Sequence, residues 1–289
     1  MVAMGCAIST VRKLTACFVL CLAVTPAFAD AYFDWLSGLP QVVIYRAYDN
    51  QNQINQDIYA IKPENRVRPP VYDAALNAAR WTMTGASIAI GDQMRPSFPT
   101  ISSGNVMFVW EARWESGFAG DLGGLDTHKA FQLSKTGSGD ERRVEIRTRF
   151  SLASGQGVAK VDARGYIWNP SGQPLPGQIN DFTIQAETWT RFWAFVDFSN
   201  RQLSLWVADE HTNPVQLFNK LQYSSMSGGL DNFWFEFNSS QTRSGGALNI
   251  WARNFAVLKN VANAQDIVNQ SGDPQATLQP KAPLNLAAQ

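Results

Sequence analysis

The sequence predicts an all-β protein, a two-sheet antiparallel β-sandwich with a short mixed segment on its N-terminal side. Three observations lead there. From Trp81 onward the chain breaks into short runs of β-branched and aromatic residues separated by Gly, Pro, Asn or Ser. Several of those runs alternate with period two, the signature of a strand with one buried face. The three cysteines, Cys6, Cys17 and Cys21, all precede Val24, so the body of the chain is held by packing and not by disulfides or thiolate metal sites. A chain of 289 residues is long enough to do this as one large domain.

In chain order, Arg12 and Lys13 precede an apolar run from Leu14 to Val24, followed by Thr25, Pro26 and the small-residue site Ala27-Phe28-Ala29. This is the layout of a secretory signal peptide and predicts cleavage after Ala29, with export to the periplasm or the medium. Lipidation at Cys21 is not expected, because Leu20 stands where a small residue belongs. The 24 basic and 24 acidic residues balance, which excludes a strongly basic nucleic-acid binder. No later stretch approaches the ~18 apolar residues of a membrane span. The expected organisation is a leader over 1–29, an extension over 30–80 packing on the sandwich, the sandwich over 81–260, and a disordered Ala-, Asn-, Gln- and Pro-rich tail over 261–289. Within the extension, 72–81 reads as a short helix. Strands are expected at 82–90, 106–115, 128–133, 144–150, 158–163, 182–185, 191–198, 202–208, 232–237 and 248–258. Oligomeric state is not encoded in any pattern.

The pleat is clearest in two places. Leu203, Leu205 and Val207 share one face against Gln202, Ser204 and Trp206, and the turn-rich Asp197-Phe-Ser-Asn200 joins this run to the preceding one as a hairpin. Phe233, Phe235 and Phe237 form a core face, which leaves Trp234, Glu236 and Asn238 on the other.

Only His128 and His211 are histidines. Alternation puts His128, Ala130 and Gln132 on one face, and Arg143, Glu145 and Arg147 on one face of the next strand. Pairing of these strands would bring a histidine, a glutamine, a glutamate and two arginines to one sheet. The alternative is a solvated outer face on which Glu145 bridges its arginine neighbours. Trp234 with Asn238, and Trp193 beside Arg191, are the best candidates for stacking on a sugar, since an indole face suits the C–H face of a pyranose. Trp110, Trp114, Trp189 and Trp206 are assigned to packing. Glu111 and Glu115 flank Arg113, which is expected to hold both. Asp121 and Asp126 lie in a Gly-rich loop that reads either as a structural calcium site or as a groove edge; no other cofactor is expected.

Across His128 to Leu133, Arg143 to Phe150, Trp189 to Phe198, Trp206 to Glu210, Phe233 to Asn238 and Arg253-Asn254, the chain resembles the concanavalin A-like lectin and glucanase jelly rolls. That resemblance implies a jelly-roll sandwich whose concave sheet holds a polysaccharide, with His128, Gln132, Arg147, Trp234, Glu236 and Asn238 in the groove. Arg143-Val-Glu-Ile-Arg147 is similar to the Arg-x-Glu-Leu-Arg strand of jelly-roll alginate lyases, in which the arginines engage the substrate carboxylate. Here Gln178-Ile179-Asn180 stands where those enzymes have Gln-Ile-His, and their Tyr-x-Lys-x-Gly-x-Tyr strand has no counterpart. A β-elimination needs a charge neutraliser, a base and an acid. The expected catalytic set is His128, Arg147 and Tyr166, with Gln132, Arg143, Glu145, Arg164, Trp193, Trp234, Glu236 and Asn238 binding the glycan. A noncatalytic glycan-binding or adhesion module is the competing reading. A hydrolase ranks third, because the Glu-x-Asp-x-x-Glu strand that would pair two carboxylates is absent.

Overall fold

The computed structural model describes residues 27–59, 69–83, 93–115, 127–135, 142–151, 158–162, 182, 184–222, 229–235 and 248–271. In chain order the elements are α1 (Ala27–Ser37), β1 (Val42–Arg46), α2 (Gln51–Asp57), β2 (Ile58–Tyr59), β3 (Val71–Asp73), β4 (Ala78–Met83), β5 (Gln93–Met94), β6 (Ser97–Ile101), β7 (Asn105–Trp114), β8 (Thr127–Ser134) and β9 (Arg142–Ser151). They continue with β10 (Val158–Asp162), β11 (Thr190–Asp197), β12 (Gln202–Asp209), β13 (Val215–Gln222), β14 (Leu230–Phe235), β15 (Leu248–Lys259) and α3 (Ala264–Asn269). Among the described residues the strands form two antiparallel sheets. The first runs β13-β12-β11-β7-β15-β4-β3, with β1 also on β15; the second runs β10-β9-β8-β14-β5-β2, with β6 also on β14.

The sheets meet over an aromatic core. Trp110 on β7 stacks on Phe192 of β11 with centroids 5.2 Å apart and planes 5° from parallel, and it touches Phe131 and Phe233 of the second sheet at 4.9 Å each. The alternation read from β12 and β14 holds: Leu203, Leu205, Val207, Phe233 and Phe235 lie in this core, while Trp206 lies behind the first sheet. The β11-β12 hairpin is also as expected, paired from Thr190–Asp209 to Asp197–Gln202.

Behind the first sheet lies a second apolar layer. Tyr32, Phe33 and Leu36 of α1 and Ile267 and Val268 of α3 cover Met107, Val109, Trp193, Trp206 and Leu258. Trp193 Nε1 donates to the Tyr32 hydroxyl at 2.9 Å, which in turn donates to the Ile267 carbonyl at 3.3 Å. Burial pushes the Tyr32 hydroxyl up to about 12, so it remains the donor that this relay requires.

Where the helical cover ends, the first sheet carries an Arg-Glu-Arg row. Glu111 of β7 is in register with Arg191 of β11 on one side and Arg253 of β15 on the other. Its Oε1 accepts from Arg191 Nε and Nη2 at 3.0 and 2.6 Å; its Oε2 accepts from Arg253 Nε at 2.7 Å and from Asn254 Nδ2 at 3.1 Å. Consecutive residues of a regular strand cannot both reach one carboxylate. Here a register shift follows Arg253, and Asn254 sits in the left-handed region at φ 56°, which asparagine tolerates. Burial alone would raise the Glu111 carboxyl, but the two arginines overcome it and hold the group below the usual range.

Four expectations are corrected. Residues 72–81 form the β3-β4 hairpin and not a helix: Asp73 Oδ1 accepts from Ala75 N at 3.0 Å, Asn77 takes φ 49°, and pairing of β4 with β15 overrides the helix propensity of the alanines. The segment 30–80 is woven into the sandwich, supplying β1 and β3 to one sheet and β2 to the other. After Val261 the chain forms α3, whose Ile267 and Val268 are buried, and the described chain runs to Ser271. Glu111 is paired with Arg191 and Arg253 because they lie directly opposite it. Arg113, two residues along the same strand, instead meets Glu187 at 2.6 Å, and Glu115 accepts from Asn249 N at 2.7 Å.

Two outcomes are expected. Glu111→Gln leaves two buried arginines short of a counter-charge and should cost ~3–5 kcal/mol at neutral pH by urea unfolding. Because the folded-state carboxyl lies below its unfolded value, its contribution is present above the unfolded pKa and lost as pH falls through the folded one, so the gap between wild type and variant should close on acidification. Tyr32→Phe removes the relay between sheet and α3 and should cost about 1–2 kcal/mol in the same assay.

Candidate functional site

With the first sheet's outer face covered in part by helices and its arginines committed to Glu111, the outer face of the second sheet is the candidate. Its composition follows from register, since directly paired residues share a face. Phe233 and Phe235 of β14 face the core, so Trp234 faces outward; it pairs with Gln132 of β8, and Gln132 pairs with Glu145 of β9. On the other side Phe235 pairs with Met94, which sets Arg95, just beyond β5, beside Trp234. The result is a cross-strand row of Glu145, Gln132, Trp234 and Arg95.

Trp234 is 6% exposed, and Arg95 covers one face of its ring. The guanidinium carbon of Arg95 lies 3.6 Å from the Trp234 ring and 3.6 Å from the ring of Tyr59, so the cation is sandwiched between two aromatic faces. Arg95 Nε donates to Gln93 Oε1 at 2.6 Å, and its backbone N–H donates to the Asp57 carbonyl at 2.7 Å. The indole N–H of Trp234 donates to Asn232 Oδ1 at 2.5 Å. Where β8 and β14 end, Lys135 Nζ meets Asp231 Oδ2 at 2.6 Å.

Asp57, at the end of α2, underlies Arg95. It is buried, accepts from the Tyr48 hydroxyl at 3.0 Å and meets Arg46 Nε at 3.3 Å. Burial outweighs both partners and raises its carboxyl above the usual aspartate range; burial, with Asp57 adjacent, also raises the Tyr48 hydroxyl. This cluster anchors the Arg95 backbone and lies beneath the surface.

The expected site residues are distributed as follows. Gln132 and Trp234 lie together on the outer face, and Gln132 is fully buried there. Trp193 lies on the opposite side of the molecule, fully buried under α1, with no surface to offer a sugar; Arg191 beside it is held by Glu111. For His128, Arg143, Glu145 and Arg147 the strand positions are described, and these contain two irregularities. Lys129 pairs with Arg147 but Phe131 with Ile146, so Ala130 is an extra residue in β8. Leu133 pairs with Val144 but Ser134 with Arg142, so Arg143 is an extra residue in β9. Arg147 therefore shares a register row with Lys129 and Asp162, whereas His128 shares the next one with Thr148 and Val161. Strict alternation, which joined His128 to Gln132, is broken by the bulge. Tyr166, Arg164, Glu236, Asn238, Asp121 and Asp126 lie outside the described residues. Among the described residues no cluster of His, Cys, Asp and Glu is suited to a metal ion.

Sequence reasoning missed Arg95 and Tyr59. Both belong to two-residue strands or their flanks, too short to display a period.

No family model matches the chain, and no curated protein matches it. Among solved structures it is similar to a β-glucanase catalytic domain from Podospora anserina, at 12% identity and TM-score 0.39 over 64% of this chain and 72% of that one. It is similar to an alginate lyase from Chlorella virus, at 12% identity and TM-score 0.45 over 75% of this chain and 99% of that one. A third similar structure is alginate lyase AlyC3, at 11% identity and TM-score 0.45 over 65% and 77%. No residue role is transferred from them. The chain's own architecture, two antiparallel sheets packed face to face on one aromatic core, is that of the jelly-roll β-sandwich class. No described helix is long and apolar enough to cross a membrane.

The stacking of Arg95 on Trp234 has a spectroscopic consequence. Arg95→Ala should make one more indole accessible to acrylamide quenching than in the wild type, and the increment should vanish in the Arg95→Ala, Trp234→Phe double variant.

Proposed function

We propose that the chain recognises an acidic, uronate-containing polysaccharide along the outer face of its second sheet. The observation that carries this reading is the row of Glu145, Gln132, Trp234 and Arg95, with Arg147 two positions along β9 from Glu145. Cations and hydrogen-bonding groups recurring at strand spacing suit a linear polyanion. An extracellular or periplasmic ligand of this kind agrees with the leader expected over 1–29.

The catalytic form of this reading is a lyase acting by β-elimination. The uronate carboxylate must be neutralised so that the C5 proton becomes acidic, a base must take that proton, and an acid must protonate the departing glycosidic oxygen. Arg147 supplies the neutralisation and Tyr166 carries the proton from C5 to the departing oxygen, since Gln132 is fully buried and His128 falls in the alternate register row. One observation favours the second reading, a binding module without turnover: the bulge at Ala130 puts His128 out of step with Arg147.

The test is incubation with a panel of uronate polysaccharides, followed by the ultraviolet absorbance of unsaturated uronate ends and by retention on the same glycans immobilised. Turnover that is abolished in Arg147→Ala and Tyr166→Phe is the result expected of a lyase. Retention without absorbance identifies the binding module. Neither signal on any glycan would end the carbohydrate reading.

A further inference from the structure

The inner face of the first sheet carries a furrow. Thr190 of β11 pairs with Ala112 of β7, Ala112 with Ala252 of β15, and Ala252 with Ala79 of β4, so a threonine and three alanines follow one another across four strands. The three alanines lie in the aromatic core, and Thr190, paired directly with Ala112, shares their face and is fully buried. The rows on either side are bulky: Phe192 and Trp110 on one, Trp114, Ile250 and Trp81 on the other. On its β12 side the row continues to Asp209, which pairs with Thr190 and is half-buried, so the furrow runs from near solvent into the core.

Three polar groups border this furrow unsatisfied. Trp110 Nε1, Trp114 Nε1 and Thr190 Oγ1 are buried and have no hydrogen-bond partner among the described residues. Thr190 is the diagonal neighbour of both tryptophans, and both indoles lean on Phe192, Trp110 stacked at 5.2 Å and Trp114 edge-on at 6.4 Å. From the second sheet Phe131 packs on Trp110 and Phe192 at 4.9 and 5.1 Å and supplies no acceptor. An indole N–H can only donate, and leaving it unmade in a core costs the desolvation of the group. Whatever satisfies these groups must accept from the indoles, fit over alanine methyls and carry no charge among apolar rings. Water meets all three demands and can also donate to the threonine oxygen.

We propose that the furrow is a binding site for ordered water, held by Thr190 between the indole N–H groups of Trp110 and Trp114. The site lies between the sheets and is independent of the glycan reading of the outer face. A dry core would be served as well by phenylalanine at the two tryptophan positions and valine at 190; here each carries a polar group instead.

Water-to-indole cross-relaxation in protein carrying isotope-labelled tryptophan reads the site directly, with Trp110→Phe and Trp114→Phe assigning the two resonances by their disappearance. In the wild type both indole protons should show cross-peaks to water of the sign given by a bound molecule. Thr190→Val keeps the shape and removes the hydroxyl, so it should weaken both cross-peaks and lower the thermal midpoint by about 2–4 °C. Thr190→Ser should retain the cross-peaks. Wild-type indole protons without a water cross-peak would overturn the proposal. So would a Thr190→Val variant whose midpoint is unchanged or raised, the behaviour of a hydroxyl that lies in a dry core.

Discussion

One carboxylate sets the organisation of the first sheet. Glu111 sits at the middle of β7 with an arginine opposite it on each neighbouring strand, so a single buried charge ties β11, β7 and β15 together. A buried carboxylate is tolerable only when its lone pairs are filled and its charge balanced. The bulge at Asn254 meets that demand by bringing a fourth donor to Glu111, and Tyr45 then donates to Asn254 Oδ1 at 3.0 Å, which extends the network to β1. Arg191 also lies over the rings of Tyr32 and Phe33, at 4.3 and 4.8 Å, so the same cluster marks where α1 can rest. With this face spent on internal contacts, the opposite sheet is the one proposed to meet a ligand.

The two outer faces use the same chemistry to different ends. Each pairs arginines with aromatic rings: Arg253 over Trp189 at 4.0 Å on the first sheet, Arg95 between Tyr59 and Trp234 on the second. On the first sheet the arginines converge on a glutamate of the chain itself, and their charge is consumed. On the second, Arg95 stacks between two rings and donates its Nε to the side-chain oxygen of Gln93.

The sequence exposes what depends on uninterrupted alternation. The core rows Leu203, Leu205 and Val207 of β12 and Phe233 and Phe235 of β14 were legible because period two holds over those residues. What escaped was decided by single residues or by distant partners. One extra residue at Ala130 divides the row expected to join His128 with Gln132, and nothing in Thr-His-Lys-Ala-Phe-Gln announces it. Trp193 and Trp234 looked equivalent as indoles on outer faces, yet one is roofed by a helix from the far N-terminal side and the other by an arginine after a two-residue strand. The Ala-rich stretch at 74–79 has helical propensity and becomes a hairpin because β15 supplies the pairing. These are tertiary decisions, and local composition does not encode them.

The position of β15 has a consequence for how the molecule comes into being. It is among the last strands made, yet it lies inside the first sheet, between β7 and β4, and also receives β1. Until it emerges, two long strands present open edges, and α1 lacks both the Ala256 and Leu258 surface and its partner helix. Sequence-distant pairing of this kind closes slowly and leaves sticky intermediates. The first sheet therefore cannot close until nearly the whole chain has been made, whereas the second sheet, which lacks β15, has all its strands earlier.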